Sequence, residues 1–240
     1  GVSKATGNMP SNLTYGSFRI GNINTVNQAW DGYISKVRIY NRILSAKEIS
    51  WLHDYEKPAS TECISNSTID NPDPFGDGSG IALYKMDGNA NDTTGVYDGT
   101  PTSITYGDGE FGQSAVFNGA GVNISASKSI LSIGAKTISF WVDRTDASRG
   151  VILDSASATD ASHGWFFSIE TDGTIYVTSF YASSGNSRLA FYSTDTIAVG
   201  ERALVTFTWD GTTDADKASV AINDGTPTTA TATVVETVLS

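Results

Sequence analysis

A single cysteine, Cys63, stands in the 240 residues, which excludes an internal disulfide framework and a cysteine-rich zinc site. Imidazoles are almost as scarce. His53 and His163 are the only two, and neither belongs to a nucleophile–base arrangement or a zinc spacing. Basic charge is short as well: 15 Lys and Arg against 26 Asp and Glu leave a formal net charge of −11. The chain therefore lacks the basic face that phosphate contacts require, which argues against nucleic acid and anionic membrane surfaces as partners. No apolar run approaches the ~20 residues of a membrane helix, so membrane insertion by a helix is not expected. Charged residues make up only 17% of the chain, below the roughly 25% of ordinary soluble domains. Polarity comes instead from Ser, Thr, Asn and 24 Gly, a supply that suits short strands joined by tight turns.

What the chain does have is aromatic mass, 10 Phe, 10 Tyr and 5 Trp, enough for a core, and apolar residues that alternate. From residue 81 onward a period of two dominates, the signature of half-buried strands. Ile138, Phe140 and Val142 share one face, with Thr137, Ser139 and Trp141 on the other. Val205, Phe207 and Trp209 form another row, ended by Asp210-Gly211. Segments 165–169 and 174–181 flank Asp172-Gly173, a strong hairpin signal, and Val220 and Ile222 precede Asn223-Asp224-Gly225. The expected fold class is all-β, an antiparallel two-sheet jelly-roll sandwich with one short helix.

The first 55 residues read differently. Segment 18–21 looks like a strand end and 32–40 like a longer strand. Ile34 and Val37 cannot share a face under strict alternation, so a bulge is expected near Ser35-Lys36. Ser45-Ala46-Lys47-Glu48 fits a capping box that opens a helix over about 46–53, with Ile49 and Leu52 as its apolar edge. Residues 56–80 carry no period, hold Pro58, Pro72 and Pro74, and read as a linker.

Two stretches resemble the laminin-G-like modules of the concanavalin A-like lectin/glucanase group. GYISKVRIYNRILSAKEISWL (32–52) is similar to the family's closing signature, a last strand followed by a small capped helix. GIALYKMDGNANDTTGVYDGT (80–100), continued by FGQSAVFNGAGVNIS (111–125), resembles its opening, and TISFWV and ALVTFTWDG resemble its middle strands. The order is inverted. Residues 1–55 carry closing strands and helix, 56–80 a linker, and 81–240 a module without closing strands of its own. The two parts are complementary, so the strand at 33–40 is expected to pair within the sheets built by 81–240, in cis or by exchange between modules or copies. Half a sandwich alone would expose an unpaired edge. The text of 70–80, DNPDPFGDGSG, resembles spacers in structural proteins of tailed bacteriophages.

Candidate chemistry is sparse. Asp87, Asn89, Asn91 and Asp92 offer oxygens at close spacing, and the resemblance implies a calcium at a sandwich rim, so these four are the candidate ligands of a calcium ion. Trp165, Tyr176, Tyr181 and Tyr192 are the candidate ligand-binding aromatics, read as standing off the core phase where their rings could stack on sugars. The acidic strand of glycosidases that share this jelly roll, Glu-x-Asp-x-x-Glu, has only a short echo in Glu170-Thr171-Asp172, which runs straight into a turn. No enzyme is expected. The leading expectation is a non-catalytic carbohydrate- or surface-recognition (adhesion) module of a phage fibre or other virion structural protein, at a virion surface or extracellular. Its partner would be a bacterial surface glycan or other virion proteins. The alternatives are a purely structural or decorative virion module and a module of a secreted bacterial adhesin.

Overall fold

Alternating Val, Ile and aromatic residues lay the chain out as strands that turn one face to the interior, and the strands at 136–144, 150–154 and 202–209 are buried at nearly every position. The computed structural model describes residues 17–21, 30–56, 70–109, 112–119, 123–131, 134–155, 163–181, 188–211, 218–223 and 228–229. In chain order these form β1 (Ser17–Ile20), β2 (Asp31–Tyr40), the helix α1 (Ala46–Glu56), β3 (Gly80–Tyr84), β4 (Thr100–Thr102), β5 (Thr105–Gly109), β6 (Gly112–Asn118) and β7 (Asn123–Ser127). A 3-10 turn (Lys128–Leu131) leads to β8 (Lys136–Arg144), β9 (Gly150–Asp154), β10 (His163–Ile169) and β11 (Thr174–Tyr181). β12 (Arg188–Thr196), β13 (Arg202–Trp209), β14 (Ala218–Ile222) and β15 (Thr228–Thr229) complete the set.

The strands build two antiparallel sheets. The seven-stranded sheet runs β12-β11-β10-β9-β1-β7-β4; the eight-stranded one runs β15-β14-β13-β8-β2-β6-β5, with β3 paired to β2 off that path. Ile138, Phe140, Val142, Val205, Phe207 and Trp209 of one sheet share a core with Trp165, Phe167, Ile169, Ile175 and Val177 of the other. Phe207 meets Phe167 edge-on at 5.2 Å, a geometry aromatic quadrupoles favour. Each such side chain contributes roughly 1.5–3 kcal/mol by leaving water.

The early residues sit in the middle of both sheets. β1 lies between β7 and β9. β2 pairs β8 along one edge; along the other it pairs β6 through Asp31–Ile34 and then β3 through Val37–Tyr40. The change of partner coincides with a register shift between Ser35 and Arg38, where Lys36 takes a φ of 46°. The extra residue of this bulge lets Ile34, Val37 and Ile39 all reach the core. β1 and β2 thus fill central positions in the two sheets built by later residues.

α1 opens on the expected capping box: the Ser45 N–H donates to Glu48 Oε2 at 2.7 Å and the Glu48 N–H to Ser45 Oγ at 3.4 Å. Arg42 closes on the same carboxylate with two bonds, 2.6 and 3.0 Å. The helix continues three residues beyond the expected end at His53. Glu56 carries it on, because this buried carboxylate accepts from Arg38 Nε at 2.6 Å and from Trp141 Nε1 at 2.7 Å. The segment expected as a linker, 56–80, is docked where it rejoins the sheet. Residues 57–69 lie outside the described residues, but 70–79 are docked. Arg38 Nη1 donates to the Asn71 carbonyl at 2.6 Å, and Phe75 packs on Tyr40 and Trp51. An aromatic in a polar run is the anchor that a count of prolines overlooks.

Candidate functional site

A sandwich has two outer faces, and here they are finished differently. Outside the eight-stranded sheet, Tyr40, Leu44, Trp141 and Leu204 form a second apolar cluster with Ile49 and Leu52 of α1. Beneath the helix lies the Arg38–Glu56 pair, each side chain 1% exposed. Burial works against the Arg38 charge, and Glu56 and Tyr40 beside it together hold the guanidinium above its ordinary value. His53 stacks on Trp141 at 5.7 Å. This face is covered.

The outer face of the seven-stranded sheet carries a row of aromatic and polar side chains over β10, β11 and β12. Because Phe167, Ile169, Ile175, Val177 and Phe191 point inward, alternation turns Phe166, Ser168, Tyr176 and Tyr192 outward. Ser168 stands opposite Tyr176, and Tyr176 opposite Tyr192. The two phenol rings lie 4.8 Å apart, and Tyr176 meets Phe166 edge-on at 6.3 Å. Tyr192 is 56% exposed. Its phenol is raised above its ordinary value by partial burial first, then by the Tyr176 ring and the Glu170 and Asp172 carboxylates.

One ion pair borders the rings. Arg149, just before β9, lies over Phe166 with its guanidinium carbon 5.5 Å from the ring centre. Its Nε donates to both Glu170 oxygens at 2.8 and 3.0 Å, and Ser168 Oγ–H donates to Glu170 Oε1 at 2.6 Å. Both charged side chains keep access to water, 28% and 21% exposed. The hairpin is tied down from beneath. Arg144, buried below, donates to the Ile197, Glu170 and Thr171 carbonyls at 2.6, 3.2 and 2.8 Å. Gly173 at the hairpin has φ +91°, and a Cβ there would press on the Ile197 carbonyl and stand 2.6 Å from Arg144 Nη1, so the turn requires glycine. The arrangement offers flat apolar faces beside paired hydrogen-bond donors and acceptors.

Two of the four expected aromatics, Tyr176 and Tyr192, come together here. Trp165 does not. It shares the parity of Phe167 and Ile169, is 5% exposed, and packs in the core against Phe207 and Trp209 at 4.8 and 5.1 Å. The outward aromatic of β10 is its neighbour Phe166. The Tyr181 backbone pairs with His163 at the end of β11, but its side chain lies outside the described residues. Arg149, Ser168 and Phe166 are not among the expected site residues, and Glu170 is expected only as the start of a short acidic echo that runs into a turn. Strand parity counted from Phe167 finds Phe166 and Ser168; nothing local marks Arg149, 21 positions before Glu170.

The rim loop ties itself and the neighbouring strands together through its side-chain oxygens. Asp87 Oδ1 accepts from the Gln113 N–H at 2.9 Å, and Asn89 Oδ1 from the Asn91 N–H at 2.9 Å. Asp92, 3% exposed, accepts from the Leu83 N–H at 2.9 Å and from the Thr94 hydroxyl. Among the described residues no three His, Cys, Asp or Glu side chains gather as a group that could hold a metal. Asp87, Asn89 and Asp92 thus each direct a side-chain oxygen to an N–H or O–H group, as in Asx turns. Asp172 likewise serves its own hairpin, accepting from the Thr174 N–H and hydroxyl at 2.9 and 2.7 Å. Among the described residues no helix is long and apolar enough to cross a membrane. Cys63 lies outside the described residues.

Comparison with known proteins gives one finding. Residues 1–50 match a family described as the concanavalin A-like lectin/glucanases superfamily, laminin-G type. No curated protein and no solved structure matches the chain.

Proposed function

We propose that this laminin-G-like, concanavalin A-like sandwich is a non-catalytic recognition module that binds carbohydrate on the open face of its seven-stranded sheet. The observation that carries the reading is the Tyr176–Tyr192 pair, 4.8 Å apart, with Tyr176 half-buried and Tyr192 exposed, beside the partly exposed Arg149–Glu170 ion pair. Pyranose rings present apolar C–H faces edged by hydroxyls. Aromatic faces bordered by fixed donors and acceptors complement both at once. The non-catalytic part of the reading is supported by the use of the carboxylates. Glycoside hydrolysis needs one free acid and one free nucleophile or base across the sugar. Here Glu170 is held by Arg149 and Ser168, and Asp172 by Thr174.

Display on a virion surface or another extracellular position, with a bacterial surface glycan as partner, extends the proposal; it rests on the resemblance of 70–80 to phage spacers. The test is a glycan array carrying neutral and acidic oligosaccharides, probed with the wild type and Tyr192→Ala. Binding that the variant loses supports the reading, and a blank array contradicts it. The candidate calcium set at Asp87, Asn89, Asn91 and Asp92 is tested by chelation with EDTA: a fall in melting temperature supports it and an unchanged value contradicts it, because a cation bound only by the native fold stabilises that fold.

A further inference from the structure

We infer that the open face selects neutral, hydroxyl-rich sugars and rejects acidic ones, with Arg149 and Glu170 acting together as a reader of adjacent hydroxyls; this rests on the carbohydrate reading above. The guanidinium that borders the rings is already neutralised by Glu170 through bonds of 2.8 and 3.0 Å. A sugar carboxylate would have to displace Glu170 from Arg149 or sit beside it, and like charges at such range repel. The Asp172 carboxylate adds to the local negative field, since it acts on Tyr192 in the same direction as Glu170 does. The chain as a whole carries −11, so longer-range steering also disfavours anions.

A neutral pyranose meets none of these costs. Each hydroxyl both donates and accepts. One hydroxyl can donate to Glu170 while its neighbour accepts from Arg149, whose Nη2 reaches Ser168 Oγ at only 3.3 Å and keeps donor capacity. The ion pair then stays intact on binding, and no charge is left without its partner. The Tyr176 and Tyr192 rings take the C–H face of the same sugar.

The experiment measures affinities for two matched pairs, mannotetraose against tetramannuronate and galactotetraose against tetragalacturonate, each pair differing in oxidation of the hydroxymethyl group to a carboxylate. Within any pair that binds, the neutral member is expected to bind at least about tenfold tighter. Its affinity is expected to stay constant between about 0.05 and about 0.5 M NaCl, because no net charge is neutralised. Glu170→Gln frees Arg149 and is expected to raise affinity for the acidic member, narrowing the preference. An acidic member that binds the wild type as tightly as its neutral counterpart, or tighter, overturns the inference and leaves the carbohydrate reading standing. Failure of all four sugars, together with a blank array, overturns the carbohydrate reading and this inference with it.

Discussion

The two outer faces of the sandwich use the same ingredients for different ends. Outside the eight-stranded sheet, Trp141 stands beside Arg38 and Glu56; outside the seven-stranded sheet, Tyr176 and Tyr192 stand beside Arg149 and Glu170. The chemistry is alike, and the difference is cover. α1 and residues 70–79 close over the first group, leaving its ion pair 1% exposed on both sides, whereas the second pair is 28% and 21% exposed. A buried pair binds its neighbours irrevocably, since separating it strands a charge in a poor solvent. An open pair contributes little to stability and keeps its hydrogen-bond capacity for a ligand. Aromatic and charged residues in proximity therefore do not define a site; what lies above them does.

Mutations can break this contrast at several strengths. The largest effect is expected from Glu56→Ala, which strands the Arg38 charge and the Trp141 N–H under the helix. Urea unfolding should show a loss of about 3–5 kcal/mol, with Trp141 contributing a fluorescence change. Next comes Gly173→Ala, which forces a side chain against the Ile197 carbonyl and Arg144 beneath the open face. A loss of about 2 kcal/mol is expected, measured the same way. Glu48→Ala removes the capping box and should cost about 1 kcal/mol at neutral pH. The Arg42 guanidinium is the main cause that lowers the Glu48 carboxyl to about 2, from an ordinary value of 4.5. A depressed folded value stabilises above the unfolded one, so the difference between wild type and Glu48→Ala should shrink as pH falls from about 5 to about 2. Smallest of all, Tyr192→Ala should change stability by no more than about 0.5 kcal/mol.

Much of the fold is legible in the residues themselves. Parity in 138–142 and 205–209 identifies inward rows, the Ile34–Val37 conflict announces the bulge, and Ser45 with Glu48 marks the helix start. These are local patterns, read over a few positions. The site is less legible because it depends on pairs distant in sequence and on register. Trp165 follows a polar run, yet its parity with Phe167 sends it inward. Arg149 reaches Glu170 across a β9–β10 ladder whose register shifts between Phe167 and Ser168, so spacing alone cannot pair them. The helix end at Glu56 is set by Arg38, 18 positions earlier. In the loop at 87–92, composition supplies oxygens but does not say whether a cation or the Leu83 and Gln113 N–H groups receive them.

The most direct test of the contrast is a map of backbone amide chemical shifts while the protein is titrated with mannotetraose or galactotetraose. The account predicts perturbations centred on Arg149, Ser168, Glu170, Tyr176 and Tyr192, with α1 and β2 unmoved. Shifts centred instead on α1, or on the loop from Asp87 to Asp98, would contradict it.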